Sequence, residues 1–371
     1  MAERVFHAVA LTPVHVGSGE RLAPEDYLLD EQGNRLVRVR TGALLGELGE
    51  AERVRLEGLL RANDFRGARQ LLAARATDRK YWAWEVAVGG ESLPELKQAL
   101  EEPERRSGEV LALPRNPYTG AVIVPGSAIK GAIRTALLSA CLANPPAGRK
   151  QEIEQRIENA KKAKLRDAWQ VLESEGFRYQ RSRTECDPMR LIHVADAEVR
   201  PEAVRVDRAV IVDRQGSATQ AGNIQRHVER LTSELDGGEG AATFEVRIGL
   251  AEELLRDRRV EELFRVRFDW GFVEGKCNWF FGGRWREEAN AFELVRRAMG
   301  AEPKVREGGI LLRVGRFCHF ESLSVDGFRQ GFDARRGQPI RGMGSTRTLC
   351  YTAQGSLAPF GWILLRPEQQ G

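Results

Sequence analysis

The sequence predicts an α+β protein made of two ferredoxin-like domains of the RRM type with helical insertions. Short apolar runs, typical of strands, are separated by longer segments in which apolar residues recur at helical spacing. The run 121–124, for example, is followed by a predicted helix at 127–142. Such a strand–helix order, interrupted by charged helical segments, favours ferredoxin-like sheets over an all-helical or all-strand fold.

Two domains are predicted, with their boundary near residue 200. The first covers residues 1–199 and carries helical insertions at 42–110 and 144–190. The second covers residues 200–371 and contains a glycine-rich loop near its end. A chain of 371 residues is long enough for two domains of ordinary size.

The first domain is predicted to alternate between apolar strands and helices. Its strands are expected at 5–11, 36–40, 121–124 and 191–199. Its helices are expected at 42–75, 127–142 and 150–175. Pro145 and Pro146 follow the second of these helices, and proline cannot continue a helix.

The second domain is predicted to contain more strand than helix. The expected elements are strands at 209–212, 243–248, 264–272, 310–314 and 362–365, a basic loop at 214–230 and an amphipathic helix at 284–299. The segment 264–272 alternates apolar and polar residues, which is the pattern of a half-buried strand.

Composition describes a globular protein without membrane spans. Hydrophobic residues make up 42% and charged residues 30% of the chain. No apolar run reaches the roughly 20 residues that a membrane helix needs, and the first residues do not resemble a signal peptide. Five cysteines form no CxxC pair, so we expect reduced thiols in the cytoplasm and no zinc site.

Positive charge is concentrated in one segment. The formal net charge of the chain is only +4. Residues 111–150 contain five cations and no Asp or Glu, so the other residues sum to −1. The five are Arg115, Lys130, Arg134, Arg149 and Lys150. Local concentration of this kind is the expected footprint of a polyanion site.

The helix at 127–142 opens with residues that are costly for stability alone. Ser127 is a good N-cap residue. Lys130 and Arg134 lie one turn apart and repel, which costs about 0.2–0.5 kcal/mol. Gly131 costs about 1 kcal/mol relative to alanine. An anion lying across the first turn explains these residues together; the alternative is a solvated basic face with Gly131 packed against a strand.

The pattern Pro-Gly-Ser-x-x-Lys-Gly-x-x-Arg-Thr-Ala-Leu, which begins at Pro125, resembles the signature of the RAMP superfamily of type III CRISPR effector complexes. Three further segments resemble that family in the expected order. They are Leu11–Glu20 followed by Asp26 and Tyr27, Gly342–Thr348, and Phe360–Ile363. Together the segments are most similar to the fifth subunit of the type III-A Csm complex, which caps the complex at the 3′ side of the guide RNA.

The resemblance implies a structural RNA-binding subunit that acts in antiviral defence. Its expected ligand is the guide RNA (crRNA) near its 3′ end, with target RNA contacted indirectly. Its expected partners are the other subunits of the effector complex, and host nucleases are further candidates. It would cap the complex and support guide maturation, with no cofactor and no metal.

The candidate RNA-binding residues lie in two glycine-rich loops, at the start of one helix and beside one strand. They are Gly17, Ser18, Gly19, Ser127, Lys130, Gly131, Arg134, Arg313, Arg316, Gly344, Ser345, Thr346 and Arg347. Glycine-rich loops bring backbone N–H groups close to phosphates, and adjacent Ser, Thr and Arg side chains add donors. The same loops are also typical of ordinary turns.

No catalytic residue is predicted. The sequence contains no P-loop and no clustered Asp and Glu set for a two-metal nuclease. Two alternatives follow from relatives that cleave RNA. His15 would be the general acid or base of a metal-independent endoribonuclease that processes precursor guide RNA. Asp26 would be the residue through which a backbone subunit cleaves target RNA.

Overall fold

The described residues of the computed structural model form a mixed helix and sheet structure, which confirms the α+β class. These residues are 2–30, 32, 34–101, 108–146, 148–163, 165–179, 183–219, 227–237, 240–258, 262–329, 331–333, 338–340 and 342–368. Among them, no helix combines the length and the apolar character that a membrane crossing requires.

The strands and helices are numbered in chain order. The strands are β1 Ala2–Ala10, β2 Arg21–Leu22, β3 Tyr27–Asp30, β4 Arg35–Val39, β5 Trp82–Val88, β6 Val110–Leu111, β7 Val122–Val124, β8 Ile192–Val194, β9 Ala197–Val199, β10 Val204–Asp213, β11 His227–Leu231, β12 Thr243–Leu250, β13 Ile310–Arg313, β14 Gly331–Asp333, β15 Gln338–Ile340, β16 Thr346–Tyr351, β17 Leu357–Pro359 and β18 Trp362–Pro367. The α-helices are α1 Thr41–Gly46, α2 Glu50–Arg61, α3 Phe65–Ala76, α4 Leu93–Glu101, α5 Gly126–Cys141, α6 Arg149–Ala163, α7 Leu165–Gly176, α8 Trp270–Ala291, α9 Glu293–Met299 and α10 His319–Ser322.

One sheet has the ferredoxin-like arrangement. Its spatial order is β13-β18-β1-β12-β8, with every neighbouring pair antiparallel. Helices α5 and α8 pack against each other, and both contact this sheet. The βαββαβ unit consists, in chain order, of β1, α5, β8, β12, α8 and β18. Its four strands lie side by side in the order β18-β1-β12-β8, which is the order fourth, first, third and second. This order confirms the predicted fold class.

The ferredoxin-like sheet combines strands from both sides of residue 200. Strand β1 lies between β12 and β18, with Phe6 opposite both Val246 and Pro367. Phe6, Ala8 and Ala10 are fully buried, which agrees with the near-continuous apolar character of this strand. The boundary predicted between residues 199 and 200 therefore does not separate two sheets.

The second sheet has nine strands and also mixes the two halves of the chain. Its path is β2-β6-β11-β10-β5-β4-β3, with β16 paired to β10 and β17 paired to β16. Strand β5 falls inside the insertion predicted at 42–110, yet it pairs with both β4 and β10. That predicted insertion therefore combines helices with a strand of the sheet.

Both predicted insertions contain the expected helices. Helices α1–α3 share a small apolar core with β4, centred on Val39, Leu44 and Leu56. Helices α6 and α7 pack on each other, and α7 also contacts α5. The second insertion thus supports the helix that carries the basic motif.

Several predicted elements differ from the structure, and the helix predicted at 42–75 is divided into α1, α2 and α3. The segment 264–272 is not a strand: it is irregular up to Asp269, whose Oδ1 accepts a hydrogen bond from the Phe272 N–H and caps α8. Its alternation arises because alternate side chains such as Phe264 and Phe268 are buried. The strand predicted at 191–199 is divided into β8 and β9, and the helix at 284–299 is divided between α8 and α9.

Candidate nucleic-acid interface

Helix α5 begins at Gly126, one residue before the predicted cap. Pro125 occupies the N-cap position, and the exposed Ser127 lies inside the first turn, so the prediction of Ser127 as N-cap was wrong. The Gly126 N–H donates to Asp196 Oδ1 at 2.7 Å. A Cβ at Gly126 would collide with the Val194 carbonyl oxygen, so glycine permits this close approach. The first N–H group of the helix therefore already donates its hydrogen bond to a carboxylate of the protein itself.

Lys130 and Gly131 form the open part of the motif. Lys130 is half-buried, and no carboxylate of the described residues pairs with it. Burial lowers the pKa of Lys130 from its ordinary value. A Cβ at the exposed Gly131 would meet no atom within 4 Å, so Gly131 is not packed against a strand. This face of α5 leaves room for another molecule beside a cation.

Arg134 has a structural role that the prediction did not assign to it. Its Nε donates to Glu173 Oε1 at 2.6 Å, and its Nη1 donates to Asp187 Oδ2 at 3.0 Å. Its guanidinium also lies over the ring of Phe177. Arg134 therefore ties α5 to α7, and the two carboxylates offset its repulsion with Lys130. The prediction of Arg134 as a cation facing phosphate is corrected accordingly.

The positive charge of residues 111–150 is partly neutralised by ion pairs with carboxylates from other parts of the chain. Arg115 makes a two-pronged ion pair with Glu229, at 2.7 and 2.9 Å, and lies 3.7 Å above the Trp84 ring. Arg149 pairs with Glu152 and Glu175. With Arg134 also paired, three of the five cations of residues 111–150 have carboxylate partners within the described part of the chain.

The Gly17–Gly19 loop is exposed and anchored at one point. Both the N–H and the hydroxyl of Ser18 donate to the Ala112 carbonyl oxygen, at 3.2 and 3.1 Å. The glycines on either side leave the surface of the loop open to solvent. This arrangement suits a phosphate chain lying across the loop.

The structure brings Arg316 next to this loop. The Arg316 N–H donates to the His15 carbonyl oxygen at 2.8 Å, and Gly315 packs so closely on the same carbonyl that a Cβ would collide with it. The Arg316 side chain is exposed and extends over the Phe317 ring. Arg316 and the Gly17–Gly19 loop together form an open, cationic surface.

Arg313 and Arg347 are buried instead of exposed, at 3% and 1%. Arg313 Nη2 and Arg347 Nε donate to the same Glu288 oxygen, at 2.9 and 2.8 Å. Arg347 Nη2 also donates to Glu321 at 3.1 Å. These contacts assign both arginines to an internal ionic network, which corrects their prediction as phosphate contacts.

The glycine-rich loop at Gly342–Thr346 is held by that network. The Gly344 N–H donates to Glu321 Oε1 at 2.6 Å, and Arg214 donates to the Met343 carbonyl oxygen at 3.2 Å. Thr346 is half-buried and begins β16, whereas Ser345 is exposed. Of the predicted donors of this loop, Ser345 is the one that faces solvent.

Both candidate catalytic residues, His15 and Asp26, are engaged by other groups of the protein. His15 is fully buried, and its Nδ1 donates to the Glu229 carbonyl oxygen at 2.6 Å. Burial lowers the pKa of His15 to about 4, and the charge of Arg316 adds to this effect, while the Glu229 hydrogen bond opposes it. Asp26 accepts a hydrogen bond from the Ala23 N–H and pairs with Arg38 at 2.6 Å. The described ranges contain no cluster of three or more His, Cys, Asp or Glu side chains placed to hold a metal ion.

Glu229, which was not predicted from the sequence, holds together the residues around His15 and Arg115. Glu229 binds Arg115 and accepts the Leu113 N–H at 2.8 Å, and its carbonyl holds His15. It lies in β11, all of whose residues are buried, although the sequence predicts a basic loop up to residue 230. The available signal was the charged pair Glu229 and Arg230 between the apolar Val228 and Leu231, because a buried charge must be paired.

The burial of His15 predicts that acid destabilises the protein. Its ordinary pKa of 6.5 applies to the unfolded chain, whereas the folded value is about 4. The unfolded state therefore binds a proton first, and stability falls as the pH drops from 6.5 towards 4. We expect a loss of about 2 kcal/mol between pH 7 and pH 5 from this group. Urea denaturation at several pH values measures it.

The matched variant for this measurement is His15→Asn. Its amide can still donate to the Glu229 carbonyl but does not titrate. We expect the variant to lose clearly less stability than the wild type over the same pH interval. Equal pH slopes in the two proteins would contradict the assignment to His15.

The fold and these loops define a class of protein. A model of the RAMP superfamily matches residues 7–293, and the chain belongs to that superfamily. No curated protein sequence is significantly similar to the chain.

Two of the solved structures that share this fold cover almost the whole chain. One is a chain of a cryo-EM structure of a Csm-crRNA-target RNA ternary complex in a type III-A CRISPR-Cas system, with 20% identity and a TM-score of 0.64 over 99% of this chain and 100% of that chain. The other is the crystal structure of T. onnurineus Csm5, with 17% identity and a TM-score of 0.53 over 96% of this chain and 99% of that one.

Proposed function

We propose that this protein is a structural RNA-binding subunit of a type III-A effector complex that holds the guide RNA near its 3′ end and caps the complex. The observation that carries the proposal is the fold shared, over almost the full length of both chains, with a chain of a Csm-crRNA-target RNA ternary complex. The likeness to Csm5 agrees with the resemblance of the sequence motifs to the fifth subunit, for which a terminal position is expected.

The surface chemistry agrees with a backbone-gripping role. Lys130 with Gly131 forms one open cationic face, and Arg316 with the Gly17–Gly19 loop forms the other. These groups suit phosphate and sugar contacts, which position RNA without reading its sequence. Guides of different sequence are therefore bound with similar affinity.

The proposed role is not catalytic. His15 is neutral near pH 7 and out of contact with solvent, and Asp26 is engaged in a turn and an ion pair. A general acid or base must reach the reacting proton, directly or through one water. The guide-processing alternative therefore lacks an accessible histidine at position 15, and the target-cleaving alternative would require Asp26 to leave its ion pair with Arg38.

Lys130→Ala should weaken RNA binding, whereas Arg134→Ala should mainly destabilise the fold. Lys130 is the unpaired cation of α5, so its loss should lower affinity for any sequence and reduce the salt slope by about 0.7 for single strands. Arg134 is bound to Glu173 and Asp187, so its removal should loosen α5 from α7. Anisotropy titrations with single-stranded RNA at several salt concentrations, with thermal melting of each variant, separate the two effects.

The control for this pair is Lys150→Ala, which removes an exposed lysine of the same basic segment outside α5. We expect its affinity to stay within about two-fold of the wild type. Unchanged binding by Lys130→Ala would contradict the role of α5. A preference above about a hundred-fold between guide sequences would instead indicate readout of bases.

A further inference from the structure

Tyr118 is the most exposed large hydrophobic side chain of the described residues, at 95%. It stands at the tip of the turn between Pro114 and Val122, just before β7 and the α5 motif. Its hydroxyl has no hydrogen-bond partner within the described part of the chain. Single exposed hydrophobic residues are common, so the backbone that carries this one decides whether it has a role.

The turn under Tyr118 is rigidly built. The Asn116 side chain accepts the N–H groups of Tyr118 and Thr119, at 3.0 and 3.4 Å. The Gly120 N–H donates to the Asn116 carbonyl at 2.8 Å, and Gly120 has a φ of +72°, which glycine adopts without strain. The Ala121 N–H donates to the Thr119 hydroxyl. Because the backbone donors of the turn are satisfied locally, its tip is ordered in advance of any contact.

The turn is anchored next to the Gly17–Gly19 loop. Arg115, at its base, is held by both carboxylate oxygens of Glu229, and the Glu229 carbonyl accepts the hydrogen bond of His15. Ser18 is bound to Ala112, three residues before Arg115. The aromatic tip and the glycine loop therefore project from one continuous structure.

We propose that Tyr118 is a stacking platform for an unpaired base of the guide RNA whose backbone crosses the Gly17–Gly19 loop; this rests on the proposed function. A loop that grips phosphates leaves the bases facing outward, and single-stranded RNA is held by stacking such bases on aromatic rings. Tyrosine supplies the ring face at low entropy cost, since only two torsions are fixed. Stacking is sequence-tolerant because every base has such a face.

The test compares Tyr118→Ala, Tyr118→Leu and Tyr118→Phe in the full chain. The probe is a single-stranded RNA of guide sequence with 2-aminopurine at successive 3′ positions. We expect Tyr118→Ala to bind about 5- to 150-fold more weakly, Tyr118→Leu to be similarly weak, and Tyr118→Phe to remain within about two-fold of the wild type. One 2-aminopurine position should be quenched by the wild type and by Tyr118→Phe only.

Each other outcome has a defined meaning. If Tyr118→Ala or Tyr118→Leu binds RNA with wild-type affinity, the stacking role is overturned and the proposed function still stands. Normal RNA binding by Tyr118→Ala with loss of assembly into the effector complex overturns it in favour of a protein partner. Absence of RNA binding by the folded wild type, alone and in the assembled complex, overturns the proposed function itself. Circular dichroism of each variant confirms folding, which a fully exposed side chain should not affect.

Discussion

Replacing Glu288 by alanine should lower the free energy of unfolding by about 3–5 kcal/mol. Glu288 lies on α8 and receives hydrogen bonds from Arg313 and Arg347, all three being buried. Without this carboxylate, both guanidinium groups lose a charged partner in a region from which water is excluded. Urea denaturation of the purified chain, followed by circular dichroism, measures the loss.

Two controls separate an uncompensated charge from general damage to the core. Glu234→Ala removes one partner of the exposed pair with Arg366 and should cost less than about 1 kcal/mol. Because Arg347 also pairs with the buried Glu321, the charge-free variant combines Glu288→Leu, Arg313→Met, Arg347→Met and Glu321→Gln. It leaves no buried charge unpaired and should be more stable than Glu288→Ala alone. A charge-free variant less stable than Glu288→Ala would contradict this account.

Complexes assembled without this chain should carry guides with longer or heterogeneous 3′ ends, while still cutting bound target. A cap needs one RNA-gripping face and a second face that stops further subunits from adding. Under the proposed function, the helices of the insertions at 42–110 and 144–190, α1–α4 and α6–α7, would supply the bulk of that second face. Sequencing of guide ends from complexes purified with and without the subunit gives the measurement.

The matched variant for the guide-end experiment is again His15→Asn in the complete complex. We expect guide ends identical to those of the wild type, since the buried His15 takes no part in cleavage under this proposal. Loss of maturation in this variant, with assembly and RNA affinity intact, would favour the enzyme alternative. Unchanged guide ends after removal of the whole subunit would contradict the capping role.

Local features of the fold were predictable because they depend on neighbours in sequence. The helix predicted at 127–142 lies within one residue of α5, since its apolar spacing and the following prolines act locally. The strands β1 and β12 were predicted for the same reason. Their pairing with each other was not, because a strand pattern does not specify a partner more than two hundred residues away.

The candidate site was predictable in its residue types and not in its pairings. The sequence identifies Lys130 and Arg134 as neighbouring cations, but only the fold shows that Asp187 reaches one of them. Arg313 and Arg347 likewise pair with Glu288, which lies 25 and 59 residues away in sequence. Whether an arginine faces RNA or stabilises the core is therefore decided by long-range contacts.

The central position of β1 has a consequence for how the chain is made. Strand β1 leaves the ribosome well before its two neighbours in the sheet, β12 on one side and β18 on the other. Until β18 is synthesised, β1 has an unpaired edge on an incomplete sheet, and such edges invite pairing with other chains. Contacts so distant in sequence also slow folding. Faster elongation of the chain would therefore shorten the exposure of that edge.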